Sequence, residues 1–218
     1  MYLRWRFAQF FELLWWRNYL RKKEKSAYLN WKKAYWERFL AQAGGPPPPG
    51  AVVLDAGCGP AGIFISMPQC RVDAVDPLLG QYAATLPHFD PQDYPHVRFF
   101  EQTLESFQPE HHYSTVFCLN AINHVANLPQ ALDRLSSLTQ AGGRLVLSVD
   151  AHRWSGLRTL FRCFPGDILH PHQHSLADYQ RMLEHRGWRL ERPVLIGQGL
   201  IFNYYLLAAM PPPGEDCA

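Results

Sequence analysis

The sequence predicts an α/β fold, a mostly parallel sheet layered between helices and preceded by a helical extension. Three observations predict it. From residue 51 onward, short apolar runs alternate with helix-like stretches, the pattern of parallel strands joined by crossover helices. The first apolar run closes in a glycine-rich turn, "VVLDAGCGPAG" at 52–62. The 218 residues are 47% apolar and 18% charged, enough to bury one sizeable core.

Residues 1–40 contain neither Gly nor Pro and read as helix. Leu3, Phe7, Phe10 and Leu14 form one apolar stripe, and Tyr28, Trp31, Tyr35 and Phe39 another. The basic run Arg21-Lys22-Lys23-Glu24-Lys25 lies between them. "GGPPPPG" at 44–50 ends the helix and acts as a stiff spacer. Strands are expected at 51–55, 71–76, 97–101, 114–119 and 143–149. Helices are expected at 61–68, 78–86 and 128–140, the last stopped by Ala141-Gly142-Gly143. A final helix runs from Leu176 to Arg186, with Ser175 as N-cap, Asp178 three residues on and Gly187 as stop. Strand-like runs at 188–196 and 201–209 follow. The organisation is therefore a basic, aromatic extension (1–43), a linker (44–50), the α/β domain (51–210) and a disordered tail (211–218).

The five cysteines (58, 70, 118, 163, 217) show no C-x-x-C or zinc spacing and read as free thiols of a reducing compartment. Phe7–Trp16 and Leu200–Met210 are shorter than the roughly 20 apolar residues of a membrane span. No A-x-A cleavage site follows the early arginines. A cytoplasmic location is expected.

The turn at 57–62 fits G-x-G-x-x-G. Gly57 and Gly59 let a ligand lie against bare backbone, and Gly62 lets the next helix pack close. A dinucleotide would seat its pyrophosphate there, yet Asp55 stands two residues before the first glycine. A carboxylate in that place suits a cationic ligand end. Asp76, closing the second strand in "VDAVDPL", can accept two hydrogen bonds from ribose hydroxyls, as in an NAD site. At this point both nucleotide classes remain open.

"VLDAGCGPAG", "VDAVDPL", "VFCLNAINHVANLPQALDRLSSLTQAGGRLVLSV" and the C-terminal strand pair resemble the class I S-adenosylmethionine-dependent methyltransferases, closest to the ubiquinone and menaquinone C-methyltransferase branch. The resemblance covers roughly 50–210. It implies a Rossmann-like three-layer fold with seven strands, the last antiparallel. It implies S-adenosylmethionine as cofactor at the C-terminal strand edges. Asp55, Gly57, Cys58 and Gly59 would surround its methionine part, Asp76 and Pro77 its ribose, and Asn120, Ala121 and Ile122 its other side. The family's Gly-Asp-Ala-Glu after the third strand is replaced by Gln102-Thr103-Leu104-Glu105, leaving Thr103 and Leu104 at the adenine without a charge. Glu105 reads as solvated.

Methyl transfer from a sulfonium is an in-line displacement in which alignment contributes about 7–11 kcal/mol. A hydroxyl acceptor also needs a base. No N-P-P-Y or D-P-P-Y follows the fourth strand; Asn123 and His124 stand there. His124 is one candidate base. His170, His172 and His174 alternate in "GDILHPHQHS", so an extended chain would point them to one side. That segment reads as a substrate loop, with His172 and His174 as further candidates and no metal assigned. Asp150 is a reserve base, and His111-His112 reads as a solvated loop.

Residues 1–40 carry ten Lys/Arg against three Asp/Glu, and five of the seven Trp. They fit a roof over the pocket, a helix pair on an anionic membrane, or, least well, a nucleic-acid surface. The expected function is methyl transfer to a small-molecule or lipid-linked acceptor at oxygen. The alternatives are an NAD-dependent oxidoreductase, an RNA methyltransferase and a silent cofactor-binding module.

Overall fold

In the computed structural model, residues 2–152, 174–199 and 202–211 are described. The predicted loop with His170 and His172, and the tail beyond 211, lie outside them.

The extension forms α1 (Tyr2–Leu20) and α2 (Lys25–Gln42). The break between them has a local cause: the Glu24 carboxylate accepts the Ser26 and Ala27 N–H groups, at 2.8 and 2.6 Å, and starts α2. Eight strands follow: β1 (Val52–Ala56), β2 (Arg71–Val75), β3 (Val97–Phe100), β4 (Tyr113–Cys118), β5 (Thr139–His152), β6 (Arg189–Leu190), β7 (Val194–Gln198) and β8 (Phe202–Met210). The remaining helices are α3 (Leu79–Thr85), α4 (Leu128–Leu138) and α5 (Leu176–Glu184). Ser175 and Asp178 close a reciprocal capping box at the start of α5.

The sheet order is β3-β2-β1-β4-β5-β8-β6, with β7 also paired to β8. β1 through β5 are parallel. β8 runs antiparallel to β5, β6 and β7. The expected mostly parallel sheet with an antiparallel final strand is present, with eight strands in place of seven. The extra strand arises because the run at 188–196 is cut in two at Glu191-Arg192-Pro193. Pro193 has no N–H to give to β8, so β6 and β7 pair as separate pieces.

Three further expectations change. The segment at 61–68 is two short 3-10 turns, Gly59–Ala61 and Ile63–Ser66, in place of a helix. α4 stops at Leu138, and Ala141-Gly142-Gly143 lies inside β5, where the pairing with β4 shifts register. The stripe Phe7, Phe10, Leu14 faces outward, at 54%, 57% and 41% exposure. The second stripe does pack through Tyr28 and Phe39, while Trp31 stays half exposed.

Successive strand residues feed opposite cores. Val53, Val72, Ala74 and Val146 meet α2, α3 and the 3-10 turns. Leu54, Val75, Leu145 and Leu147 meet α4 and α5. Buried Trp36 donates its indole N–H to the Ala61 carbonyl at 3.0 Å, tying α2 to the glycine turn. At the opposite end of the sheet, buried Asp73 accepts from Arg98 and the Tyr113 hydroxyl, and His111 lies 3.3 Å from it. His111 is thereby drawn out of the solvated role expected for it.

Candidate ligand-binding site

Strand order reverses between β1 and β4, and a cleft opens there beyond the carboxyl ends of the strands. The glycine turn forms its floor. The N–H groups of Gly57 and Cys58 both bond the Val75 carbonyl, at 2.7 and 3.2 Å, which folds the turn back over β2. Gly57 sits at φ +71°, and a β-carbon there would stand 2.2 Å from that of Ala121. Only glycine permits that conformation and that approach of the β4 loop.

Asp55 takes an unexpected place. Its carboxylate accepts the Phe64 N–H at 3.2 Å, and the Ile63 N–H also bonds it. A β-carbon on Gly62 would lie 2.3 Å from Asp55 Oδ2, so Gly62 makes room for the acid. Asp55 is buried and does not line the cavity. Burial pushes its pKa up to about 7, against the pull of the two N–H groups. The ammonium of half-buried Lys32, 4.5 Å from the Trp36 ring centroid, also acts on it. Burial brings Lys32 itself down to about 8.

Asp76 does face the cavity. Its Oδ1 accepts the Leu78 N–H at 2.9 Å and its Oδ2 the Gly59 N–H at 3.0 Å. Each oxygen keeps a second lone pair for a ligand donor. Its pKa is also up at about 7, from burial first and then from the Glu12 carboxylate.

Gly57, Asp76 and Pro77, Thr103 and Leu104, and Asn120, Ala121 and His124 all line the cavity. The fold brings these eight residues from four loops together around one cavity. Asn120 adopts φ +54° and is held by Ser148, whose hydroxyl accepts the Asn120 N–H at 2.7 Å and donates to its Oδ1 at 3.0 Å. Cys58 and Ile122 were expected beside them but are buried in the two cores. Gly59 acts through its N–H on Asp76. The His174 ring packs 5.6 Å from that of Tyr179, whose hydroxyl donates to Asn123 next to His124. His172 is outside the described residues.

Several lining residues were missed by the sequence reading. α1 forms the roof through Trp5, Ala8, Gln9 and Glu12. The Trp5 indole donates to the His124 carbonyl at 3.1 Å, and the Tyr82 hydroxyl donates to Glu12 at 3.2 Å. Their spacing, continued by Trp16, was a legible helical stripe, but it was outshone by the more apolar one opposite. Glu105 is not solvated filler: its carboxylate accepts the Ala126 and Asn127 N–H groups, at 2.8 and 3.0 Å, and sets the loop after β4.

A family model described as a methyltransferase domain matches residues 28–192. No curated protein sequence matches the chain. Solved structures share its fold. Magnesium protoporphyrin IX methyltransferase from Synechocystis PCC 6803, with bound S-adenosylhomocysteine, superposes with TM-score 0.57 at 23% identity, over 84% of this chain and 83% of that one. The 1,6-didemethyltoxoflavin-N1-methyltransferase of Burkholderia thailandensis gives 0.61 at 18% identity, over 94% and 89%. Geranyl diphosphate C-methyltransferase from Streptomyces coelicolor A3(2) gives 0.61 at 17%, over 81% and 78%.

The two raised aspartates make a prediction about stability. Between its unfolded pKa and a folded value near 7, each keeps a proton in the folded state that the unfolded chain releases. Stability contributed by these groups is therefore lost as pH rises through that window. The melting temperature of the ligand-free protein is expected to fall between about pH 4 and about pH 7. Asp76→Asn is expected to flatten the fall, as read by calorimetric melting across that range.

Proposed function

Because the chain belongs to the methyltransferase domain family, we propose that its cavity binds S-adenosylmethionine and that it methylates a small or lipid-linked acceptor at oxygen. One observation carries the choice of cofactor. The N–H groups after the glycine turn, where a dinucleotide would lay its pyrophosphate, are answered by the protein's own Asp55. The cavity itself is lined by Glu12, Asp76 and Glu105, with no Lys or Arg among its described lining residues. Such a lining favours a ligand that brings hydroxyls and positive charge over one that brings phosphates.

The residues present fit that cofactor. Asp76 has acceptor capacity left for ribose hydroxyls, the bare backbone at Gly57 allows close approach, and Thr103 with Leu104 offers an uncharged end for adenine. When bound, S-adenosylmethionine supplies a methyl group on a positively charged sulfur. Asn120 and Ala121, which line the cavity after β4, would wall the cofactor there. A ring nitrogen of His124 takes the proton that an acceptor hydroxyl must lose. Asn123 and Tyr179 fix the loop that carries His124, which pre-orients the base. His174 stands beside Tyr179 as the second candidate.

The outward face of α1 favours an acceptor met at a membrane. Phe7, Phe10, Phe11, Leu14 and Trp15 are exposed, followed by exposed Arg17, Arg21, Lys22 and Lys23. Exposed aromatics bordered by cations suit an anionic lipid interface, where each cation contributes about 1 kcal/mol. No described helix is long and apolar enough to cross the bilayer.

Calorimetry with S-adenosylhomocysteine against NAD tests the cofactor: binding of NAD alone would overturn it. Asp76→Ala is expected to weaken S-adenosylhomocysteine binding by roughly a hundredfold or more, since hydrogen bonds to a buried carboxylate are lost. His124→Ala is expected to lower single-turnover methyl transfer about 10²–10⁴-fold while cofactor affinity changes little. The acceptor for that assay comes from extracts labelled with radioactive cofactor, the product being identified by mass spectrometry. Co-sedimentation with vesicles should rise with anionic lipid and drop for Phe10→Ser/Trp15→Ser. Equal binding to neutral vesicles, or none, would remove the membrane from the reading.

A further inference from the structure

Glu12 is the only acidic residue before Glu24, and it points inward. It shares a face of α1 with Trp5, Ala8, Gln9 and Trp16, opposite the exposed Phe7, Phe10 and Leu14. Its carboxyl lines the cavity and accepts from the Tyr82 hydroxyl at 3.2 Å and from the Trp16 side chain. Burial raises its pKa. Beyond burial, its charge is the largest influence raising Asp76.

Two carboxyls acting on each other, Asp76 buried and Glu12 half-buried, are unfavourable when both are ionised. α1 nevertheless carries one of them into the cavity on a face whose other members, Trp5, Ala8, Gln9 and Trp16, bear no charge. Among the described residues, polar ties that hold the helix include the Trp5 bond to the His124 carbonyl and the Glu12 bond to Tyr82. Trp16 rests over the turn, 3.8 Å from where a β-carbon on Gly59 would stand. A ligand bearing hydroxyl donors or positive charge relieves the carboxyl pair, and so strengthens the seating of the helix that closes over it.

We propose that Glu12 is a ligand-binding residue: with Asp76 it forms a two-carboxylate clamp on the bound nucleoside, which makes α1 a lid whose docking is coupled to occupancy of the cavity. The proposal rests on the cofactor reading above. By linkage, whatever the ligand gains from α1, α1 gains from the ligand. Occupancy is therefore read in the helix as well as in the affinity.

The test uses the full chain, with S-adenosylmethionine and S-adenosylhomocysteine as probes, calorimetry for affinity and amide hydrogen exchange over α1. In the wild type the probes should slow exchange across α1. Glu12→Gln, which keeps size and a hydrogen-bonding group, should weaken binding about tenfold or more and reduce that protection. Glu12→Ala should do the same, and it guards against a local defect peculiar to Gln. Wild-type affinity in both variants overturns the proposal, as does exchange in α1 that the probes leave unchanged. If the wild type binds neither probe, the cofactor reading itself fails and the clamp fails with it. Loss of binding in Asp76→Ala but not in the Glu12 variants keeps the cofactor and rejects the clamp.

Discussion

Asp55 and Asp76 are buried at one edge of the sheet with Glu12 half-buried beside them, and each carboxyl must find donors where water is scarce. Asp55 finds them in the backbone of the turn at 63–64. Asp76 finds them at Gly59 and Leu78, and Glu12 in the Tyr82 hydroxyl and the Trp16 side chain. This constraint shapes the site. It forces glycine at 62, where a side chain would strike Asp55. It also ties the first turn to the end of β2, so that floor and side wall form one unit. Burying acids costs several kcal/mol unless they are bonded, and the residual demand of Asp76 and Glu12 faces the cavity.

The same economy explains why the loop after β1 is not a helix. An α-helix there would offer its free N–H groups to a ligand anion. Asp55 takes two of them instead, and the chain continues in 3-10 turns. A turn that looks by spacing like a phosphate cradle is thus filled from within.

α1 is apolar on two sides for two reasons. One side covers the cavity and carries Glu12. The other carries exposed aromatic residues, among which Trp15 stacks on Tyr19 of the same helix, with cations at its end. That outer side is the one on which the membrane proposal rests. α2, by contrast, is committed to the domain: Trp36, Phe39 and Leu40 are in the core, and the family match already begins at residue 28.

The order of strands and helices, the parallel sheet with its reversed final strand, and the meeting of Gly57, Asp76, Thr103, Asn120 and His124 were legible in the sequence. Each follows from a local signal: short apolar runs, glycines where backbone must come close, and residues just past strand ends, which parallel topology collects on one edge. Other features depended on what packs against what. Which stripe of α1 turns inward was hidden because both are apolar, and periodicity identifies a face without naming its partner. Asp55 and Glu105 looked like ligand-facing or solvated acids because a one-dimensional reading cannot see the N–H groups that claim them. Glu12, an apparent interruption of an apolar run, became a site residue only when the helix was laid across the sheet edge, bringing its charge to bear on Asp76 across 64 residues of chain.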